Sequence, residues 1–129
     1  MKRRVTIIIA LVLALVLSVS TALADFSQQK SMSVSGASAV GKSWISSNLR
    51  SAYAQTSGST NAYVYVYATF DYASPSEGGA SITVSGYSSV FVKKTPVGAP
   101  SDSLFYRVSS YHTLSYNGDG AHVSLLNEP

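Results

Sequence analysis

Three tyrosines recur at every second position in the middle of the chain: Tyr63, Tyr65 and Tyr67. If this stretch is a β-strand, their side chains project from one face at a spacing of about 6.6–7 Å. A flat row of exposed tyrosine rings can stack on sugar rings or pack against a protein partner, with the hydroxyl groups supplying orientation. These three tyrosines are therefore the candidate ligand-binding residues of the chain.

Packing within a sheet explains the same row, and this is the commoner role of tyrosine in a strand. Tyrosine favours β-strands and packs well against aromatic residues on neighbouring strands. Tyr87, Phe105 and Tyr111 are the neighbours that the sequence offers for such packing. Binding and packing both stay open at the level of sequence.

The histidines and carboxylates show no pattern typical of catalysis or metal binding. The two histidines are His112 and His122. An even-length hairpin places His112 on the apolar face and His122 on the opposite face beside Ser115, so their rings do not converge. Asn117 and Asp119 fit a tight turn better than a calcium loop, which needs more oxygen ligands. The carboxylates are scattered and a G-x-S-x-G elbow is absent. We predict a non-enzymatic protein with no catalytic residue, no metal site and no cofactor.

One stretch, Gly36 to Ser43, matches the phosphate-binding pattern G-x-x-x-x-G-K-[ST] letter for letter. In P-loop NTPases the backbone of this loop cradles phosphates, the lysine reaches the β- and γ-phosphates and the hydroxyl holds Mg²⁺. The loop should follow a continuously apolar strand and open a helix, but residues 30–35 are half serine. We therefore prefer a chance match in a Ser/Gly-rich turn over a nucleotide-binding loop.

Residues 1–24 have the three parts of a secretory signal peptide. A basic start, Met1 to Arg4, precedes a 13-residue apolar run from Val5 to Leu17 and the small-residue site Ala22-Leu23-Ala24. Cleavage after Ala24 predicts a secreted, extracellular protein that consists of residues 25–129. In the alternative, the uncleaved segment is a helix of about 30 Å that anchors the protein in the membrane.

The positive charge of the chain resides in the same segment. The formal net charge is +3, and Lys2, Arg3 and Arg4 account for all of it, because residues 25–129 contain six cations and six anions. A balanced chain has no long-range field with which to attract nucleic acid. We predict no nucleic-acid partner, and membrane contact only if the N-terminal segment is uncleaved.

Cysteine is absent from the chain. Small exported domains of eukaryotes usually need disulfides, because a small core is only marginally stable. The composition is instead typical of a bacterial protein, most naturally one from a Gram-positive organism. It also excludes a thiol nucleophile and thiolate metal ligands.

Alternating apolar and polar residues mark two long strands. The first is Asn61 to Tyr72, which directs Val64, Val66, Ala68 and Phe70 to one face. The second is Leu104 to Tyr116. Its apolar face is predicted to comprise Leu104, Tyr106, Val108, Leu114 and Tyr116, and its other face Phe105, Arg107, Ser109, Tyr111 and Thr113.

The hairpin signal Asn117-Gly118-Asp119-Gly120 follows the second strand. We expect the chain to return along residues 121–126, with Tyr116 opposite Ala121, Leu114 opposite Val123 and His112 opposite Leu125.

The remaining segments are less regular. Residues 28–39 alternate weakly, residues 74–79 resemble a turn, and residues 95–103 form the longest loop. Residues 82–92 are predicted to form one strand with a bulge or bend at Gly86. Residues 43–56 fit a short helix or a strand, and Trp44 is predicted to be a core anchor. Together these elements predict one all-β domain over residues 25–129, an antiparallel sandwich or small barrel of about six strands with an optional short helix.

Function is therefore predicted only in outline. The favoured hypothesis is binding or structural association at the bacterial cell surface, with a cell-wall glycan or a surface protein as partner. The alternative is a secreted bacteriocin-like antagonist, although the balanced charge argues against cationic attack on membranes. A hydrolase or a nucleotide-binding protein is less favoured.

Overall fold

Eight β-strands make up most of residues 25–129, which are the residues that the computed structural model describes. The predicted signal peptide, residues 1–24, lies outside the described residues. The strands are β1 (Phe26–Val34), β2 (Ala37–Ile45), β3 (Ala52–Gly58), β4 (Tyr63–Ser74), β5 (Gly78–Ser89), β6 (Phe91–Lys94), β7 (Leu104–Tyr116) and β8 (Asp119–Asn127).

The strands form two four-stranded antiparallel sheets. Sheet A has the order β1-β2-β3-β6 and sheet B the order β5-β4-β7-β8. One apolar core lies between them, with side chains from both sheets. The all-β antiparallel prediction is confirmed, and the arrangement is a sandwich. The predicted number of about six strands is wrong, because two segments that were each expected to be one strand are each divided into two.

The first division is at residues 28–39, where the chain turns at Ser35-Gly36. Gly36 has a φ of 92°, a left-handed conformation that glycine adopts without steric cost. A side chain there would also lie 2.8 Å from the ring of Tyr116. The turn separates β1 from β2, which pair as a hairpin from Phe26 opposite Ile45 to Val34 opposite Ala37.

The second division is at Val90, where the chain leaves β5 in sheet B and enters β6 in sheet A. Val90 has a φ of 71°. The bend or bulge expected at Gly86 is absent, since Gly86 lies opposite Val66 within a regular ladder. Its missing side chain instead leaves room for the end of the Lys94 side chain from β6, which a Cβ atom would displace.

Residues 43–56 contain no helix. They include the end of β2, a turn over residues 46–51 and the start of β3. The Ser46 hydroxyl donates to the Asn48 side chain at 2.7 Å, and the Arg50 backbone N–H donates to the same side-chain oxygen at 3.1 Å. Such side-chain bonds compete with the helical hydrogen-bond pattern, so serine and asparagine favour the turn.

A bulge in β7 changes the face of one predicted residue. Asp71 of β4 lies opposite Arg107, but its neighbour Tyr72 lies opposite Phe105, which leaves Tyr106 without a partner in the ladder. The extra residue turns Phe105 into the core, where its ring lies 6.4 Å from that of Phe70. The prediction that Phe105 lies on the outer face is therefore wrong.

The β7–β8 hairpin has a shorter loop than expected. Asn117 and Gly118 have φ values of 51° and 84° and form the two-residue loop that Asn-Gly favours. Leu114 consequently lies opposite Ala121, and His112 opposite Val123. The predicted pairs are wrong by two residues, but an even shift keeps each side chain on its predicted face.

Candidate functional site

The outer face of sheet B carries the candidate tyrosines because the alternate residues of β4 fill the core. Val64, Val66, Ala68 and Phe70 are fully buried. Successive side chains of a strand point to opposite faces. Tyr63, Tyr65 and Tyr67 must therefore project outward, as predicted, with Tyr63 and Tyr67 48% and 46% exposed.

Neighbouring strands extend this row into a two-dimensional surface. Tyr65 lies opposite Tyr87 of β5, and Tyr67 lies opposite Tyr111 of β7. We call the five tyrosines Tyr63, Tyr65, Tyr67, Tyr87 and Tyr111 the tyrosine face. The rings of Tyr63 and Tyr87 have centroids 5.7 Å apart, a contact that holds the first ring against the edge strand.

His122 from β8 borders the tyrosine face. Its ring centroid lies 5.4 Å from that of Tyr111, and its side chain is exposed. Its partner in the ladder is Thr113 rather than the predicted Ser115.

An open depression of about 260 Å³ lies within the tyrosine face. The rings of Tyr67 and Tyr111 line it together with the hydroxyl side chains of Thr69, Ser109 and Ser124. Aromatic surface and hydroxyl groups are thus available to one ligand at the same place. This combination suits a molecule with both apolar faces and hydroxyl groups.

The charged side chains of β4 and β7 on this outer face lie at one end of it. Asp71 accepts hydrogen bonds from the Ser81 hydroxyl and from Nε of Arg107. Arg107 Nη1 also lies 3.9 Å from a carboxylate oxygen of Glu128. The hydrogen bond to Asp71, and then its negative charge, raise the pKa of Arg107. The acidic and basic side chains at this end satisfy each other, which leaves the tyrosine face without an acidic, lysine or arginine side chain.

The outer face of sheet A carries aromatic residues in a different arrangement. Trp44 stacks on Tyr53 with ring centroids 5.0 Å apart, and its indole N–H donates to Asp25 at 2.9 Å. Lys93 Nζ lies 4.2 Å from the centroid of the Tyr53 ring and Lys42 Nζ lies 5.8 Å from it. The prediction that Trp44 anchors the core is wrong, because β2 directs Ser43 and Ile45 inward and Trp44 outward.

His112 occupies the core, on the opposite side of sheet B from the tyrosines, as predicted. It is fully buried, and its Nδ1 and Nε2 lie 2.9 Å from Thr56 Oγ1 and 2.7 Å from Ser110 Oγ. Thr56 donates its own proton to the Tyr65 carbonyl oxygen. A neutral ring with its proton on Nδ1, accepting from Ser110 at Nε2, satisfies all three groups. Burial lowers the pKa of His112 to about 4, and a hydrogen bond that the ring donates to the Gln55 backbone opposes the shift.

The phosphate-binding pattern of residues 36–43 is divided between a turn and a strand. Gly36 is in the β1–β2 turn, and the rest belongs to β2. Lys42 points outward toward Tyr53, whereas Ser43 is buried in the core. The two side chains that would hold phosphate and metal therefore lie on opposite faces of sheet A. Gly41 instead faces the His112 ring, and a Cβ atom there would be 2.5 Å from Cγ of His112.

Residues 25–129 contain neither a metal-binding cluster nor a membrane-spanning helix. No three histidine, aspartate or glutamate side chains in this range come together as a metal cluster. The same range contains no helix long and apolar enough to cross a membrane.

Comparisons with protein-family models, curated proteins and solved structures find no match to this chain. The evidence for a binding site at the tyrosine face is therefore its geometry alone.

Tyr87 and Tyr111 are the functional candidates that sequence analysis did not assign to binding. It named them only as packing neighbours. Both occupy the outward positions of amphipathic strands, where Ile82, Val84 and Leu114 mark the inward positions. The alternation could have placed them on an outer face, but joining them to β4 requires the order of the strands, which no local pattern encodes.

Proposed function

We propose that this protein is a non-enzymatic, exported β-sandwich that binds a neutral cell-surface glycan through its tyrosine face. The observation that carries the proposal is the surface of five outward tyrosines, two of which, Tyr67 and Tyr111, line an open depression together with hydroxyl groups. Sugar rings have apolar C–H faces that pack on aromatic rings and hydroxyl groups that pair with Ser and Thr.

The lack of an unpaired charged side chain on the tyrosine face, among the described residues, supports a neutral ligand. Asp71, Arg107 and Glu128 pair with one another at one end of this outer face. At the β8 border the Lys30 amino group is bound by the Ser124 carbonyl oxygen. An anionic polymer would gain little from such a surface, because opposite charge is what attracts it. Chains of neutral hexose or N-acetylhexosamine fit the surface best.

The flatness of the surface supports a polymer rather than a small molecule. Small ligands usually bind in concave pockets that bury most of their area. The tyrosine face instead offers a shallow depression and a row of rings about 6.6–7 Å apart along β4. A polysaccharide can contact several rings at once and so gain affinity from many weak contacts.

Export explains how the tyrosine face would reach a surface glycan. The signal-like residues 1–24 support secretion from a Gram-positive bacterium, and cleavage after Ala24 would give a product that begins at Asp25. N-terminal sequencing of the native protein tests this part of the proposal. A soluble cytoplasmic product that retains Met1 would contradict export.

Binding to purified cell-wall sacculi and to a neutral glycan array tests the ligand. Tyr67→Ala and Tyr111→Ala should each weaken binding about tenfold, because each removes a ring that lines the depression. Tyr53→Ala is the matched control, since its ring is already covered by Trp44 and Lys93.

Two results would count against a glycan-binding tyrosine face. One is that the wild-type protein fails to bind every wall fraction and glycan. The other is that Tyr53→Ala weakens binding as much as Tyr67→Ala does.

A further inference from the structure

The free edge of sheet B is β5, a long strand without charge. β5 has 12 residues and contains no proline, lysine, arginine, aspartate or glutamate. It pairs with β4 in continuous register from Tyr63 opposite Ser89 to Ser74 opposite Gly78. A strand at a sheet edge leaves every second residue with unpaired backbone groups, and proteins normally protect such an edge with charges, prolines or bulges.

The other sheet edges have such protection. β6 has four residues, of which Lys93 and Lys94 are two. β1 and β8 lie against each other, because Lys30 Nζ donates to the Ser124 carbonyl oxygen at 3.1 Å and Asn127 Nδ2 donates to the Phe26 carbonyl oxygen at 3.0 Å. Within residues 25–129, β5 is the one edge strand without a charged residue of its own. The end of the Lys94 side chain from β6 lies against its inward side at Gly86, and its outward side and backbone edge carry no such group.

The apolar side chains of β5 are also more exposed than those of the central strand β4. Ala80, Ile82 and Val84 face the core but are only partly buried. Tyr87 is 68% exposed, the highest value of any aromatic side chain in the described residues. Exposed apolar groups beside unpaired backbone groups are typical of an interaction surface.

We propose that β5 is a dimerisation edge, at which two copies of this chain pair their β5 strands in antiparallel orientation. Opposed residues in such a pair point to the same face, so outward residues must lie opposite outward residues. The register centred on Thr83 meets this condition. It places Ile82 beside Val84 of the second copy twice, once on each side of the two-fold axis.

The same register is self-complementary on the outer face. Ser81 lies beside Ser85 of the second copy, and Tyr87 lies beside Gly79, which has no side chain to obstruct the ring. No charges of like sign are opposed along the strand, and residues 25–129 have no net charge to drive two copies apart. These properties favour a second copy as the occupant of the edge over a charged peptide.

Pairing would join the two copies into one eight-stranded sheet. Both tyrosine faces would then lie on the same side of that sheet, since cross-strand neighbours share a face. The dimer does not depend on glycan binding, and the two proposals can fail separately.

A charge exchange at the two-fold axis tests the dimer. Sedimentation velocity over a concentration series should show the wild-type monomer and dimer in equilibrium. Thr83→Lys and Thr83→Glu should each raise the dissociation constant about fivefold, because like charges then lie directly opposite. A mixture of the two variants should recover the wild-type dimer or a tighter one, which also demonstrates that both variants are folded. A wild-type protein that stays monomeric at all concentrations overturns the proposal.

Cross-linking tests the register independently. The chain has no cysteine, so one introduced thiol can form a disulfide only with a second copy. Directly opposed strand residues have Cα atoms about 4.5–5.5 Å apart, within the range for a disulfide. Thr83→Cys should give a disulfide-linked dimer on mild oxidation, whereas Ser33→Cys, on the exposed face of edge strand β1, should not. Equal cross-linking of both variants overturns the assignment to β5.

Discussion

The two sheets of the sandwich differ in the size of the side chains that they direct into the core. Sheet B supplies bulk, with the fully buried Phe70, Leu114 and His112. Sheet A supplies space, since Ala39, Gly41 and Ala54 are among its inward residues. Large side chains opposite small ones allow two sheets to interdigitate at the density of a native core. The difference explains why β2 and β3 read poorly as amphipathic strands, because alanine, glycine and serine give a weak hydrophobic pattern.

The outer faces of the two sheets differ in how far their aromatic rings are exposed. Sheet A covers its aromatic rings, because Trp44 stacks on Tyr53 and two lysines approach the same ring. Sheet B leaves its tyrosines exposed, and two of them line a depression. Aromatic content alone therefore does not identify a binding surface. What distinguishes the tyrosine face is exposure, since Tyr63, Tyr67, Tyr87 and Tyr111 all have exposed side chains, whereas the lysine–ring contacts found within residues 25–129 are both to Tyr53.

The largest expected effect is a loss of unfolding free energy at acid pH, caused by His112, one of the large buried residues of sheet B. Above pH 6.5 His112 is neutral in both the folded and the unfolded chain, so the folded state keeps its full stability. As the pH falls from 6.5 to about 4, the unfolded chain binds a proton that the buried ring does not. The free energy of unfolding should then fall by about 3 kcal/mol, with no further loss from this group at lower pH.

Urea unfolding at a series of pH values measures this effect. His112→Gln cannot titrate and should lack this part of the pH dependence, although its stability at neutral pH should be lower. His122→Gln is the matched control, because it removes the other histidine and leaves the bonds of His112 to Thr56 and Ser110 intact. A His112→Gln profile as steep as that of the wild type between pH 6.5 and 4 would exclude His112 as the cause.

Gly41→Ala should destabilise the fold by filling the space in sheet A that the His112 ring of sheet B occupies. The new Cβ atom would lie 2.5 Å from Cγ and 2.8 Å from Cδ2 of the buried His112 ring, so the ring or the strand must shift. Overpacking of this kind costs about 1–3 kcal/mol of unfolding free energy. Thermal and urea unfolding at neutral pH measure the loss.

Gly120→Ala is the matched control for this substitution. Gly120 also lies in a strand, but a Cβ atom there would meet only the Leu114 carbonyl oxygen at 3.5 Å, an ordinary contact. Its stability should therefore change little. If Gly41→Ala is as mild as Gly120→Ala, the two sheets are less closely fitted at His112 than the distances indicate.

Sequence patterns predicted those parts of the fold in which the two faces of a strand differ strongly. The alternation of valines and tyrosines located β4 and its tyrosines, and the apolar residues of β7 located that strand from end to end. The hairpin after β7 was also predicted, although Asn117 and Gly118 alone form its loop. In each case a local pattern carried the information.

Other features depend on contacts between distant segments, and no local pattern reveals them. Phe105 is buried because of a bulge against β4. Gly86 lies against the end of the Lys94 side chain, and Gly41 against the His112 ring, so neither glycine marks a bend or a phosphate loop. Trp44 is on the outside because the parity of β2 outweighs the usual tendency of tryptophan to be buried. The candidate site was predicted as a row of three tyrosines, while its second dimension depends on strand order.

The smallest expected effect concerns the covered rings of sheet A. Lys93→Gln removes the cation that lies 4.2 Å from the Tyr53 centroid, and an exposed cation–π contact contributes about 0.5–1 kcal/mol. The free energy of unfolding should fall by about that amount. Trp44 is the only tryptophan, so its fluorescence reports unfolding from within this cluster. Lys42→Gln is the graded control, because its ammonium group is 5.8 Å from the same centroid and its loss should be smaller. Equal losses in the two variants would mean that general charge, rather than the cation above the ring, stabilises this face, and the contrast between a covered and an open aromatic surface would weaken accordingly.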